Sequence, residues 1–131
     1  MSNSIFARLM SVIDDRKARP TENSYTARLL ASGVDKIGAK IVEEASEVVA
    51  AALEPGAAGQ DHLAHEAADL IYHLFVMLAH GNVPLSDVEA KLAGRFGISG
   101  VDEKASRAKT QAEASHAKTQ AEDCVPRTSD Y

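Results

Sequence analysis

Glu44 and Glu47 stand three residues apart, and Glu66 and Asp69 repeat that spacing one segment later. In a helix of 3.6 residues per turn, such a pair is separated by roughly 60° around the axis and ~4.5 Å along it. Both carboxylates of each pair therefore point the same way, and Glu43 adjoins the first pair. One E-x-x-E alone is most simply a solvated helix face. Two acidic pairs on consecutive helices, each beside an apolar stripe, say more. If those helices pack antiparallel, four or five carboxylates converge at a half-buried groove. Like charges in poor solvent repel and raise one another's pKa, and a bound divalent cation removes the conflict. All-oxygen donors favour hard ions, Mg²⁺ or Mn²⁺, which keep waters and meet phosphate oxygens. The chemistry indicated is attack of water on a nucleotide polyphosphate.

Other polar residues on these segments have two readings each. Lys40 and Lys36 lie one and two turns before Glu44, on its side of the helix. They are either phosphate contacts or, for Lys40 and Glu44, an i,i+4 pair worth a few tenths of a kcal/mol. His62, His65, His73 and His80 share the second acidic segment. They form no H-E-x-x-H, and Glu66 is followed three later by Asp69 instead of a histidine, unlike the E-x-x-H pairs of di-iron bundles. They read as structural or substrate-rim residues.

The elements that must position these groups are helices. Apolar residues recur at helical spacing from Ser4 to Arg19, and Pro20 stops the run. A short helix, Tyr25 to Ala31, reaches Gly33, a C-cap residue. Asp35 to Leu53 carries the stripe Ile37, Ile41, Ala45, Val48 and Ala52, and ends at the breaker Pro55-Gly56-Ala57-Ala58-Gly59. Asp61 to His80 carries Leu63, Ala67, Leu70, Ile71, Leu74 and Leu78 on one face, with Phe75 and Val76 off it, where they would suit contact with a second copy of the chain. A last helix runs from about Leu85 to Phe96. Nothing alternates with period two for long enough to be a strand. The fold class is all-α.

Composition bounds the rest. The chain has 131 residues, 14 Lys and Arg against 19 Asp and Glu, and a net charge of -5. That length supports one domain and perhaps a tail. The acidic balance excludes a phosphate-backbone binder. With aromatics at 5% and no Trp, a stacking platform for single-stranded nucleic acid is excluded too. No run approaches the ~20 apolar residues of a membrane span. Met1 to Arg19 has no signal-peptide core, because charges recur at Arg8, Asp14, Asp15 and Arg16. A cytoplasmic protein that binds neither nucleic acid nor membrane is expected. Cys124 stands alone, so a disulfide within one chain is excluded.

After about Lys104 the character changes. Ala108-Lys109-Thr110-Gln111-Ala112-Glu113 recurs as Ala117-Lys118-Thr119-Gln120-Ala121-Glu122. Four basic and four acidic residues leave this stretch neutral, so the negative charge belongs to the body. With almost no large apolar side chains it cannot bury a face. The expected organisation is a domain over 1–104 and a low-complexity, flexible tail over 105–131.

The run from Asp35 to Val48, Asp35-Lys36-Ile37-Gly38-Ala39-Lys40-Ile41-Val42-Glu43-Glu44-Ala45-Ser46-Glu47-Val48, resembles the signature helix of the phosphoribosyl-ATP pyrophosphatase family. Glu66-Ala67-Ala68-Asp69-Leu70-Ile71-Tyr72-His73-Leu74 resembles its second helix. The wider all-α nucleoside triphosphate pyrophosphatase (MazG-like) superfamily shares the E-x-x-E and E-x-x-D hallmark, here Glu44, Glu47, Glu66 and Asp69. Three further segments are similar to the histidine-pathway branch: Ser24 to Leu30, Leu85 to Val88, and Gly97 to Arg107. The resemblance covers residues 4 to 107 and leaves the tail unexplained. Val42 departs from it, standing where many relatives have Gly. No cyclohydrolase domain precedes this one, so the chain reads as monofunctional.

The resemblance implies a helical bundle completed by oligomerisation, as a homodimer or higher homo-oligomer. It implies hydrolysis of the α–β phosphoanhydride of 1-(5-phosphoribosyl)-ATP to phosphoribosyl-AMP and pyrophosphate, the second step of histidine biosynthesis. Glu44, Glu47, Glu66 and Asp69 would hold Mg²⁺, with Mn²⁺ as the other candidate. Glu43 is a candidate for orienting or deprotonating the attacking water, and Glu43, Glu44 and Glu47 form the catalytic set. Lys36 and Lys40 would offset phosphate charge, while Tyr25, Thr26 and Arg28 would meet the ribosyl-phosphate end. Two other readings stand beside this one: a house-cleaning (d)NTP pyrophosphatase using the same carboxylates, and a non-enzymatic helical dimerisation module whose acids are only a solvated face.

Overall fold

The computed structural model describes residues 4–96. The Gly97 to Arg107 segment and the repeat-bearing tail lie outside them. Five helices follow in order: α1 (Ile5–Ala18), α2 (Tyr25–Ser32), α3 (Val34–Ala52), α4 (Gly56–His80) and α5 (Leu85–Ala93). Among the described residues no strand occurs, and no helix is long and apolar enough to cross a membrane. One compact unit ends at Asp87 and another begins at Val88, within α5. The bundle of α1 to α4 belongs to the first.

Local chemistry sets the helix starts. The Ser4 hydroxyl accepts from the Ala7 N–H at 3.2 Å, and the Ser24 hydroxyl accepts from the Ala27 N–H at 3.1 Å. Each satisfies one of the N–H groups that a first turn leaves without a helical partner. Gly33 ends α2 and begins α3 with φ of 88°, a conformation costly for any residue with a Cβ. The two helices are therefore joined by a single residue. At the far end of α4, the Lys17 ammonium donates to the Ala79 carbonyl and to Asn82 Oδ1, both at 2.6 Å. A cation there suits the negative end of the helix dipole.

The α3–α4 connection is shorter than the sequence suggests. The breaker over Pro55 to Gly59 predicts a five-residue loop with the helix resuming at Asp61, whereas α4 begins at Gly56. Pro55 takes the N-cap position in extended conformation. It stops α3, but it does not obstruct a helix that starts after it. Gly59 is buried, and a Cβ there would overlap the Glu54 carbonyl. Glycine at this position lets α4 approach the end of α3. We expect Gly59→Ala to cost about 2 kcal/mol, the scale of an overpacked site, despite alanine's higher helix propensity. That corresponds to a fall of roughly 10 °C in thermal midpoint for a domain of this size, readable by calorimetry.

The core joins Met10 and Ile13 of α1, Leu29 and Leu30 of α2, Ile37 of α3, and Phe75, Val76 and Ala79 of α4. Phe6 meets Phe75 edge to face, with centroids 6.0 Å apart. This corrects one reading of the sequence. Phe75 and Val76 lie off the leucine stripe, yet they are 9% and 0% exposed within the protomer. The leucine stripe is divided: Ile71 and Leu78 pack against the core, whereas Leu63 and Leu70 are half-buried and Leu74 is exposed. α4 is apolar on most of its circumference, and periodicity cannot choose which apolar side its own chain covers. The core uses the first half of α3 and the second half of α4, so α1 and α2 cap one end of the hairpin. The acidic pairs lie toward the other end.

Candidate active site

Buried residues on the two hairpin helices share one register. On α3 they are Ile37, Glu44 and Ala51; on α4 the series Gly59, Glu66 and His73 has the same seven-residue step. Two antiparallel helices with matching series bring Glu44 and Glu66 together between them. Glu44 and Glu66 thus sit at core positions of the repeat, where a hydrophobe is expected. Each is only 8% exposed. The sequence places these acids beside the stripe, but in the fold they stand within it.

Single oxygens of Glu44, Glu47 and Glu66 lie within 4.8 Å of one another. A second trio, His65, Glu66 and Asp69, gathers at the same range, so Glu66 belongs to both. His65 Nε2 is 3.4 Å from Asp69 Oδ2. Glu44 Oε2 and Glu66 Oε2 are buried without a hydrogen-bond partner. With all the carboxyls ionised, two buried carboxylate oxygens with no donor between them are a costly arrangement in a folded protein. A divalent cation bound by oxygen ligands satisfies both, so the residues present suit a hard metal ion.

The electrostatics follow from this crowding. Glu44 is raised to about 7, first by burial, then by hydrogen bonding to Glu66 and Glu47. Glu47 is raised as well, chiefly through its bond to Glu66. Glu66 is lowered, because Glu47 foremost, and then Glu44 and His62, donate to it. Without a cation, protonation of Glu44 relieves part of this crowding.

Around this cluster the remaining candidates divide. Lys40 Nζ pairs with Glu43 Oε2 at 3.1 Å, so its partner is Glu43 and not the Glu44 that i,i+4 spacing suggests. That bond raises the lysine, aided by the charges of Tyr25 and Glu44. Glu43 is exposed and does not join the clustered carboxylates. Lys36 is exposed one turn earlier. Tyr25 is exposed at the start of α2, and the Thr26 hydroxyl is 2.5 Å from the Tyr72 hydroxyl. Arg28 donates to the Glu22 carbonyl at 3.3 Å. Tyr25, Thr26 and Arg28 therefore stand at the first turn of α2, apart from the metal-type cluster, although Tyr25 is near enough to Lys40 to influence it.

Glu54, which the sequence does not single out, and three histidines read there as structural or substrate-rim residues border the site. His62 Nε2 is 3.1 Å from Glu66 Oε1, and its Nδ1 meets Glu54 Oε2. Both ring nitrogens face carboxylates, which hold the imidazole above its usual range, Glu54 foremost. His65 joins through Asp69. The i,i+4 spacing of His62 to Glu66 and of His65 to Asp69 is visible in the sequence; Glu54, eight residues before His62, is not reachable that way. His73 is buried, with Nδ1 donating to the Asp69 carbonyl at 2.9 Å and Nε2 lacking a partner.

Residues 6–96 match the family described as phosphoribosyl-ATP pyrophosphohydrolase. A phosphoribosyl-ATP pyrophosphatase of Rhodopirellula baltica is 49% identical over 100 residues, covering 76% of this chain and 83% of its own length. That of Paramagnetospirillum magneticum is 48% identical over 107 residues, 82% of this chain and 95% of the relative. That of Hydrogenovibrio crunogenus is 42% identical over 113 residues, 86% of this chain and the whole of the relative. With the acidic hairpin, the matched span and these identities together, the chain belongs to the phosphoribosyl-ATP pyrophosphohydrolase family.

Proposed function

We propose that this chain hydrolyses the α–β phosphoanhydride of phosphoribosyl-ATP to phosphoribosyl-AMP and pyrophosphate, the second step of histidine biosynthesis, at the Glu44–Glu66 layer. The observation that carries the site assignment is the pair of buried, unpartnered oxygens, Glu44 Oε2 and Glu66 Oε2, in a core layer that otherwise calls for hydrophobes. Glu44, Glu47, Glu66 and Asp69 would hold the divalent cation, Mg²⁺ or Mn²⁺. When bound, such an ion supplies electrostatic stabilisation of the triphosphate charge and an acidified water. Glu44 would bind the cation as the carboxylate, its proton passing to solvent. Glu43 orients or deprotonates the attacking water once a phosphate draws Lys40 away from it. Lys36 and Lys40 offset phosphate charge. Tyr25, Thr26 and Arg28, at the N-terminus of α2, receive the ribosyl-phosphate end, where the helix dipole favours an anion. The setting is the cytoplasm.

The test is pyrophosphate release from phosphoribosyl-ATP, ATP and dUTP in parallel, with Mg²⁺ and then with EDTA. Turnover of phosphoribosyl-ATP alone, lost in EDTA, is the expected result. Preference for a canonical nucleotide would keep the carboxylate site and move the substrate to the house-cleaning branch. Release from none of them would put the dimerisation module first.

A homo-oligomer completes the bundle in this reading. α3 leaves Val34, Val42, Val49 and Leu53 exposed, Val42 by 67%, and α4 leaves Leu74 exposed by 42%. Aliphatic side chains left in water in this way are candidates for the interface. Val42→Asp and Leu74→Asp alter side chains outside the protomer core. We expect each to shift the chain toward monomer in light scattering, and an unchanged mass for both would refute the placement of the interface.

A further inference from the structure

We propose that His62 is the positioning residue for Glu66: anchored by Glu54 at one ring nitrogen, it holds Oε1 so that Oε2 is presented to the cation. The proposal rests on the reading of Glu66 as a metal ligand. Its geometric basis is the division of labour between the two oxygens of one carboxylate. Oε1 faces His62 Nε2 at 3.1 Å, while Oε2 is buried and has no partner. The terminal torsion of a glutamate is broad and roughly two-fold. Nothing intrinsic to Glu66 fixes the plane of its carboxylate, and so the direction in which the second oxygen points. A donor fixed against Oε1 does.

The ring is itself fixed. Glu54 Oε2 meets its Nδ1, and the Glu54 backbone is tied into the last turn of α3 by its N–H, which donates to the Ala51 carbonyl at 3.1 Å. The close approach of Gly59 to the same backbone packs the connection against α4. The chain of contacts Glu54–His62–Glu66 thus runs from the α3–α4 connection to the buried layer. An ordinary i,i+4 surface pair differs in two ways. Its acid is open to water, whereas the Glu66 side chain is only 10% exposed. Its histidine also lacks a second anchor. Groups that orient metal-binding side chains in this way typically change metal affinity by ~10- to 100-fold when removed.

The experiment is Mn²⁺ titration of the metal-free full chain by calorimetry, in the wild type, H62A, H62Q, E54Q and E66Q, alongside turnover at rising Mn²⁺. Gln at 62 still reaches Oε1 with an amide N–H across one helical turn. We expect H62A to weaken Mn²⁺ binding roughly 30-fold, H62Q to recover most of that loss, and E54Q to fall between wild type and H62A. Turnover of H62A should return at saturating Mn²⁺, which a merely structural defect would not allow. E66Q should bind far more weakly than any of them. Wild-type affinity in H62A, with binding lost in E66Q, would overturn the proposal and leave Glu66 as a ligand. Wild-type affinity in E66Q would overturn the ligand reading itself, and the proposal with it.

Discussion

Glu44→Gln abolishes pyrophosphate release from phosphoribosyl-ATP, a loss of roughly 10³-fold or more, while the bundle stays folded. The size follows from the several kcal/mol that a correctly held metal contributes to the transition state, at 1.36 kcal/mol per factor of ten. The survival of the fold follows from where Glu44 sits. It is 8% exposed and surrounded by carboxylates, and in the absence of a cation it is the group that keeps a proton up to about pH 7. A glutamine copies that protonated form in volume and in its ability to donate to Glu66 and Glu47. In EDTA at pH 8 the variant therefore melts several degrees above the wild type, because the wild type there holds a buried charge next to others. At pH 5 the wild-type Glu44 is itself neutral, and the two curves converge. Near-wild-type turnover in the variant sinks the site assignment. Coincident melting at pH 8 removes the claim that Glu44 is strained by its neighbours.

The contrast between what the sequence foretells and what the fold does is sharpest on α4. Helix content, the Ser24 and Gly33 boundaries and the two acidic pairs are all legible, since each depends on spacing within one segment. The choice of buried face is not. α4 offers a leucine stripe and a second side bearing Phe75, Val76 and Ala79, and the fold buries the second. That decision belongs to α1 and α2, whose Met10, Ile13, Leu29 and Leu30 meet it. The same limit explains Glu44. A heptad projection places it at a core position, in line with Ile37 and Ala51, but a charged side chain at such a position reads as one that turns aside from the stripe. Only the opposing Glu66, at the matching step of α4, reveals a layer built of acids. Likewise His62 is visible as an i,i+4 neighbour of Glu66, whereas its anchor Glu54 depends on a connection that is shorter than its glycines suggest.

That acidic layer makes stability and metal affinity depend on pH in opposite directions. The folded chain keeps the Glu44 proton to about 7 against an ordinary value of 4.5, so between those values the folded state binds more protons than the unfolded one. Stability of the metal-free protein from this group is complete below pH 4.5 and is lost as pH rises through about 7. His62, held above 6.5 by Glu54 and Glu66, acts in the same sense at slightly higher pH. Glu66 is lowered from 4.5 and acts only below that value, where its contribution fades as pH falls. In EDTA the thermal midpoint should therefore decline steadily from pH 5.5 to 8. A divalent cation competes with the Glu44 proton, so its apparent affinity should rise by about tenfold per pH unit up to neutrality and level off above it. Bound at ~100 times its dissociation constant, it adds about 2.7 kcal/mol of stability. The expected record is a small Mg²⁺-induced rise in melting temperature at pH 5.5 and a large one at pH 8. With Mg²⁺ the profile is flat or rising across the range where the metal-free profile falls. An equal Mg²⁺ response at both pH values would mean that the cation does not displace a proton from Glu44, and the buried layer would then lose its role as the metal's seat. The E44Q variant isolates the cause: with no proton to displace at position 44, any residual Mg²⁺ response should lose the steep part of its pH dependence.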